Sequence, residues 1–171
     1  MENQKALHAW PVFLSTNNKM KSLSKFIVTI SYIGLFPFAS GTFASIATIL
    51  IWILFIKLGL LIYFALISVF LFIISFHFIN IYLSDKADKD PKEVVIDEFV
   101  GQSIPLLIVP SSDEITIIFL IFIFFRFFDI FKIYPINLLE KIKGSRGVMF
   151  DDMMAGIYTA IVVLFINSYI L

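Results

Sequence analysis

The sequence predicts an all-α, polytopic integral membrane helical bundle of about five spans, one of them short or re-entrant, preceded by an N-terminal interfacial helix. Three observations predict it. Of the 171 residues 60% are hydrophobic, and mean hydropathy is +0.96, whereas a soluble domain is about 45–50% apolar. The apolar residues gather into runs near the roughly 20 residues that a helix needs to cross hydrocarbon. The charged residues fall between those runs, and the positive ones keep to alternate connections.

Each element follows in order. Residues 1–25 carry lysines but no apolar core leading to a cleavage site, so they read as a cytoplasmic tail and not a signal peptide. Residues 26–171 show no repeat and no linker and form a single membrane-embedded domain. Phe26 to Phe38 is apolar but interrupted by Gly34 and Pro37, the pattern of an interfacial helix. Phe43 to Ile56 makes a short span. Leu60 to Leu83, Ile115 to Ile133 and Met153 to Leu171 have full length. Phe99 to Val109 is shorter still, a thin or re-entrant span that needs neighbouring helices around its ends.

Five spans give a consistent charge map. With the tail inside, Ser84 to Glu98 and Tyr134 to Asp152 are also inside and bring Lys86, Lys89, Lys92, Lys141, Lys143 and Arg146. The outside keeps Lys57 and the acidic turn PSSDE, Pro110 to Glu114. Four spans would move the later loops across and worsen the bias. The alternating charges of SDKADKDPKE read as a solvated connector.

Several functions are excluded at once. A net charge of zero gives no reason to expect nucleic acid, and the absence of cysteine removes disulfides, thiolate metal sites and Cys nucleophiles. There is no Gly-x-Ser-x-Gly, no phosphate-binding Walker loop and no Asp-x-Asp nucleophile pattern. His8 falls in the tail, and His77 lies in an apolar span as a packed neutral imidazole.

The acids remain. Asp97 and Glu98 open the short apolar segment, Asp129 lies near the inner end of its span, and Asp151 with Asp152 opens the last one. On this topology five carboxylates from three helices share one depth at the inner face. Gathered carboxylates repel, and near hydrocarbon they are costly. A hard divalent cation such as Mg²⁺ fits such a set, because it takes oxygen ligands and keeps water. Helix capping by Asp97 or Asp151 is the plainer alternative. Gly101, Ala155 and Gly156, each three to five residues after an acid, leave room for a ligand or for a closely packed helix.

Cations accompany the acids. In FFRFFDIFKIYP, Arg126 and Lys132 flank Asp129 one turn away on either side. They form either an intrahelical ion pair with a snorkelling lysine or a phosphate site. Lys143 and Arg146 lie among the glycines of KIKGSRG, and Gly41-Thr42 stands just before a helix with Ser45 in its first turn. A helix start favours phosphate.

Four blocks carry a resemblance. GTFAS at 41–45, IDEFVGQ at 96–102, FRFFDIFKIYPI at 125–136 and GVMFDDMMAGI at 147–157 resemble, in order and spacing, the phosphatidylglycerophosphatase A family. The resemblance implies a Mg²⁺-dependent bacterial enzyme of the cytoplasmic (inner) membrane. It would convert phosphatidylglycerophosphate to phosphatidylglycerol and phosphate at the cytoplasmic face. It implies catalytic roles for Asp97, Glu98, Asp129 and Asp152, and metal binding by Asp97, Glu98, Asp151 and Asp152. Gly41, Thr42, Ser45, Arg126, Lys132, Lys143 and Arg146 then bind substrate phosphate. Ser40, Ala44, Asn137 and Ser145 depart from the family pattern, but every acidic position is kept. The expected partners are a phospholipid substrate and the bilayer, with no nucleic acid. The rival readings are a CDP-alcohol phosphatidyltransferase, whose long acidic signature is missing here, a cation-coupled transporter, and a structural membrane subunit.

Overall fold

The structure, a computed structural model, describes residues 18–84, 86, 91–109 and 115–169. The first part of the tail with His8, most of the charged connector and the acidic turn at 110–114 lie outside the described residues. Helix and turn account for the fold, and the described residues contain no strand.

A first helix, α1, covers residues 18–28. It stops where Thr29 turns its hydroxyl inward, donating to Lys25 O at 2.7 Å and accepting the Tyr32 N–H at 3.1 Å. Ile30, Ser31 and Tyr32 then adopt φ of 44°, 54° and 70°, a region that side-chain-bearing residues rarely enter. A 3-10 turn, Ile33–Leu35, follows. The helix expected over Phe26 to Phe38 is therefore the end of an earlier helix plus a tight turn. Thr29 satisfies the backbone locally, which apolarity alone does not reveal. The turn is fastened across the molecule, since Val95 N–H donates to Val28 O at 2.9 Å. Gly34 is needed there, because a Cβ would meet the Glu93 carbonyl and lie 3.1 Å from Val95 Cγ2.

The remaining elements are α2 (Ser40–Lys57), α3 (Leu61–Leu83), α4 (Ile96–Ile108), α5 (Ile115–Phe131), the short α6 (Ile136–Leu139) and α7 (Ser145–Tyr169). Each of the five expected spans has its helix. By length and composition α2, α3 and α7 can cross a membrane. At 17 and 13 residues, α5 and α4 are shorter, so α4 measures about 20 Å at 1.5 Å per residue.

The shortest helix is the hub. Nine residues of α4 are buried, and it touches α2, α3, α5 and α7. Its tightest neighbour is α7. A Cβ on Gly101 would sit 2.6 Å from Asp152 O, and one on Gly156 would meet Gly101 O. Small residues thus let two backbones touch, the means by which helices gain dispersion contact where lipid removes the hydrophobic drive. Phe64, Phe99, Ile117, Ile121 and Val163 fill one core layer around this axis, and Phe125, Phe128, Ile136 and Ala155 another. The outward faces stay apolar and exposed, as with Leu66, Phe70 and Ile73 on α3.

α7 starts eight residues before the apolar run that marks it in the sequence. Its first turns bury Ser145, Gly147, Val148, Asp151 and Asp152 against protein and not lipid. Asp151 and Asp152 consequently lie in the second turn, where they cannot cap the helix start. Arg146, expected in a loop, stands in the first turn of α7.

Candidate active site

The starts of α2, α4 and α7 and the end of α5 meet at one end of the bundle, around a cavity of about 410 Å³. Gly41, Asp97, Glu98, Arg126, Asp129, Lys132, Asp151 and Asp152 all line it. The first turns of α2 and α4 line this region, and the field of a helix N-terminus favours anions.

The cations divide the acids into two groups. Arg126 Nη1 lies 2.5 Å from Asp129 Oδ2, one turn along the same helix. Lys132 leaves α5 in a left-handed conformation, φ 42°, and its Nζ reaches Asp151 Oδ2 on α7 at 2.5 Å and Glu140 at 3.4 Å. Among the described residues, Asp97, Glu98 and Asp152 form no salt bridge. Their carboxylate oxygens come within 4.8 Å of one another. Asp97 Oδ1, Glu98 Oε2 and Asp152 Oδ2 are buried without a hydrogen-bond partner. Three bare carboxylates so close together repel strongly unless protonated or bridged by a cation. Their oxygen-only donor set fits a hard divalent ion.

Arg126 keeps donors in reserve. Its contact with Asp129 is close but not aligned as a hydrogen bond, so Nε and Nη1 have no hydrogen-bond partner. The lack of a side chain at Gly41 matters here, because a Cβ would fall on Glu98 Oε1 and 3.0 Å from Arg126 Nη1.

The other expected residues are dispersed. Thr42 is half-buried in the first turn of α2, and Ser45 is buried one turn deeper with its hydroxyl unpartnered; neither lines the cavity. Lys143 lines an adjoining cavity of about 650 Å³, which shares Glu140, Val148 and Asp151 with the first. Arg146 is exposed and lines neither.

Several residues at or near the site have contacts that carry little signal in the sequence. Glu140 reaches Lys132 only because the turn before α6 brings the chain back. Ser40 Oγ donates to Lys92 O at 2.5 Å and pins the connector over the start of α2. Beside it Glu93 receives hydrogen bonds from Lys86, at 2.6 Å, and from Tyr82. These hold its carboxyl below the usual carboxylate range. Gln102, fully buried one turn beyond Glu98, leaves both amide atoms without partners. Its only hint in the sequence is a polar residue on the buried face of a short apolar helix.

A helical bundle with clustered carboxylates, a guanidinium with free donors and helix N-termini at one end is an arrangement suited to a phosphatase. The phosphatidylglycerophosphatase A family model matches residues 26–167, and the chain belongs to that family. It is 31% identical to phosphatidylglycerophosphatase A of Escherichia coli over 137 residues, covering 80% of this chain and 78% of that one. The Haemophilus influenzae protein of the same name is 35% identical over 165 residues, 92% of this chain and all of that one. A putative phosphatidylinositol-3-phosphatase of Bacteroides thetaiotaomicron is 38% identical over 136 residues, covering 76% and 84% of the two chains. No solved structure matches the chain.

Proposed function

We propose that this phosphatase removes the terminal phosphate of phosphatidylglycerophosphate, with Mg²⁺, at the cytoplasmic face of a bacterial inner membrane. One observation carries the reading: after Arg126 and Lys132 have taken Asp129 and Asp151, three carboxylates remain together, each with a buried unpartnered oxygen and none with a salt bridge among the described residues. Asp97, Glu98 and Asp152 would hold the ion. Bound there, Mg²⁺ supplies polarisation of the phosphoryl oxygens and acidification of a water.

The chain's own groups do the rest. Arg126 donates from Nε and from Nη1 to phosphate oxygens, while Asp129, in contact with the same Nη1, holds the guanidinium in place. Lys132, held between Asp151 and Glu140, offsets charge that grows on the transferred group. A carboxylate oxygen of this group that the ion leaves free would accept the proton that an attacking water loses. Inner-face placement is supported by the lysine distribution, since Lys92, Lys132, Lys141 and Lys143 all lie at the cavity's end of the bundle.

The Bacteroides relative favours a second reading, in which the substrate headgroup is a phosphorylated inositol. Purified protein should release phosphate from phosphatidylglycerophosphate in Mg²⁺ and stop on chelation, with little release from phosphatidylinositol 3-phosphate. The reverse preference selects the inositol lipid. Phosphate release unaffected by chelation removes the metal from the reading. Asp152→Asn should lower turnover by about 10²–10³-fold, the scale of losing one main electrostatic element of a transition state. Retained turnover in a folded Asp152→Asn protein rejects this cavity as the active site.

A further inference from the structure

An apolar groove of about 300 Å³ runs between α2 and α5, apart from the polar cavity. Ile46, Ile49, Leu50 and Ile53 line it from α2, and Ile118, Phe119 and Phe122 from α5. Its floor belongs to the protein: Ile49 is in the core, and Ile53, Ile118 and Phe122 pack against that core. Its rims are open, with Ile46 40%, Leu50 61% and Phe119 59% exposed. Both helices rest on α4 and touch each other sparingly, so an unfilled channel remains between them.

The groove and the site share one register. At the polar end Gly41 of α2 faces Arg126 of α5, close enough that a Cβ would lie 3.0 Å from Nη1. α2 runs away from that contact, and α5 runs towards it. Antiparallel counting from there brings Ile46, Leu50 and Ile53 within one residue of the levels of Phe122, Ile118 and Ile115. These are the residues that line the groove. At 1.5 Å per residue the groove starts about 6–8 Å from the Gly41–Arg126 contact and continues for about 10 Å. A charged donor at one end and a straight hydrocarbon trough leading from it match an anionic headgroup joined to an acyl chain.

We propose that this groove holds an acyl chain of the lipid whose phosphate monoester lies in the polar cavity. The inference rests on the reading of the chain as a lipid phosphatase and adds where the lipid's tail goes. Gly41 marks the passage between the two parts, and substrate enters sideways from the bilayer between α2 and α5.

Two measurements test it. Leu50→Trp places an indole at the open rim, and Leu66→Trp puts the same change on the exposed face of α3 as a control. Activity is compared on long-chain phosphatidylglycerophosphate and on its deacylated, water-soluble counterpart. Leu50→Trp should lower kcat/KM for the long-chain lipid about tenfold, chiefly through KM, and leave the deacylated compound within about twofold. Leu66→Trp should change neither. Equal loss on both substrates, or no loss on the lipid, overturns the groove while leaving the phosphatase reading intact. Photolabelling then decides the matter independently of turnover, with phosphatidylglycerophosphate and phosphatidylcholine carrying the same diazirine-bearing chain. Adducts within residues 46–53 and 115–122 that form preferentially with the phosphate monoester support the proposal. Equal labelling by both lipids (an ordinary bilayer contact), or adducts elsewhere, rejects it. Failure of the phosphatase reading shows separately, as wild-type protein that releases no phosphate from either substrate.

Discussion

Lys132 and Asp151 illustrate how single residues set the charge balance. The lysine reaches from the end of α5 to an acid on α7 whose side chain is only 4% exposed. Removing the cation strands a buried carboxylate, which costs more than the pair contributes. Lys132→Met should therefore lower stability by about 3 kcal/mol, and adding Asp151→Asn should recover most of it, as thermal unfolding in detergent will register. Gly41 behaves in the opposite sense. Alanine is the better helix former by about 1 kcal/mol, but its methyl lands on the Glu98 carboxylate. Gly41→Ala should hold or raise the melting temperature while turnover falls at least about tenfold, measured as phosphate release. At this scale the sequence names the acids, because carboxylates in apolar runs stand out. It does not say which are already matched: Arg126 and Asp129 are neighbours on one helix, whereas the Lys132–Asp151 pair needs α5 against α7. Glu140 and Gln102 stay hidden for the same reason.

Helix order and number are legible in the apolar runs, since a lipid-facing helix must be apolar along its length. Helix ends are not. α7 extends eight residues beyond its run because its first turns face protein, where small and charged residues are acceptable. The turn after α1 depends on the Thr29 hydroxyl and on a hydrogen bond from Val95 to Val28, residues far apart in the sequence. The α4–α7 crossing was foreshadowed by Gly101 and Gly156, yet only the fold shows that each glycine meets the other helix's backbone. Gly156→Ala gains helix propensity but drives a methyl onto Gly101 O, and it also meets Ile104 Cβ at 3.2 Å. Overpacking of this kind costs about 1–3 kcal/mol. The variant should melt lower than wild type and lose phosphate release with it, because the same crossing holds Asp152 beside Asp97.

For the molecule as a whole, the native chain has no cysteine, so introduced ones report sidedness cleanly. Lys57→Cys and Lys143→Cys are both exposed positions, at opposite ends of the bundle by helix direction. In intact cells an impermeant thiol reagent should label the first and spare the second; the opposite result would invert the orientation and with it the cytoplasmic site. The central helix has a consequence of its own. α4 is about 20 Å long and enclosed by its neighbours, while a hydrocarbon layer is about 30 Å thick. In the proposed membrane placement, a helix this short leaves its acidic end below the surrounding lipid surface, in a dent that water has to fill. A headgroup has to sink to be cleaved, and host bilayers made of shorter lipids should ease that descent.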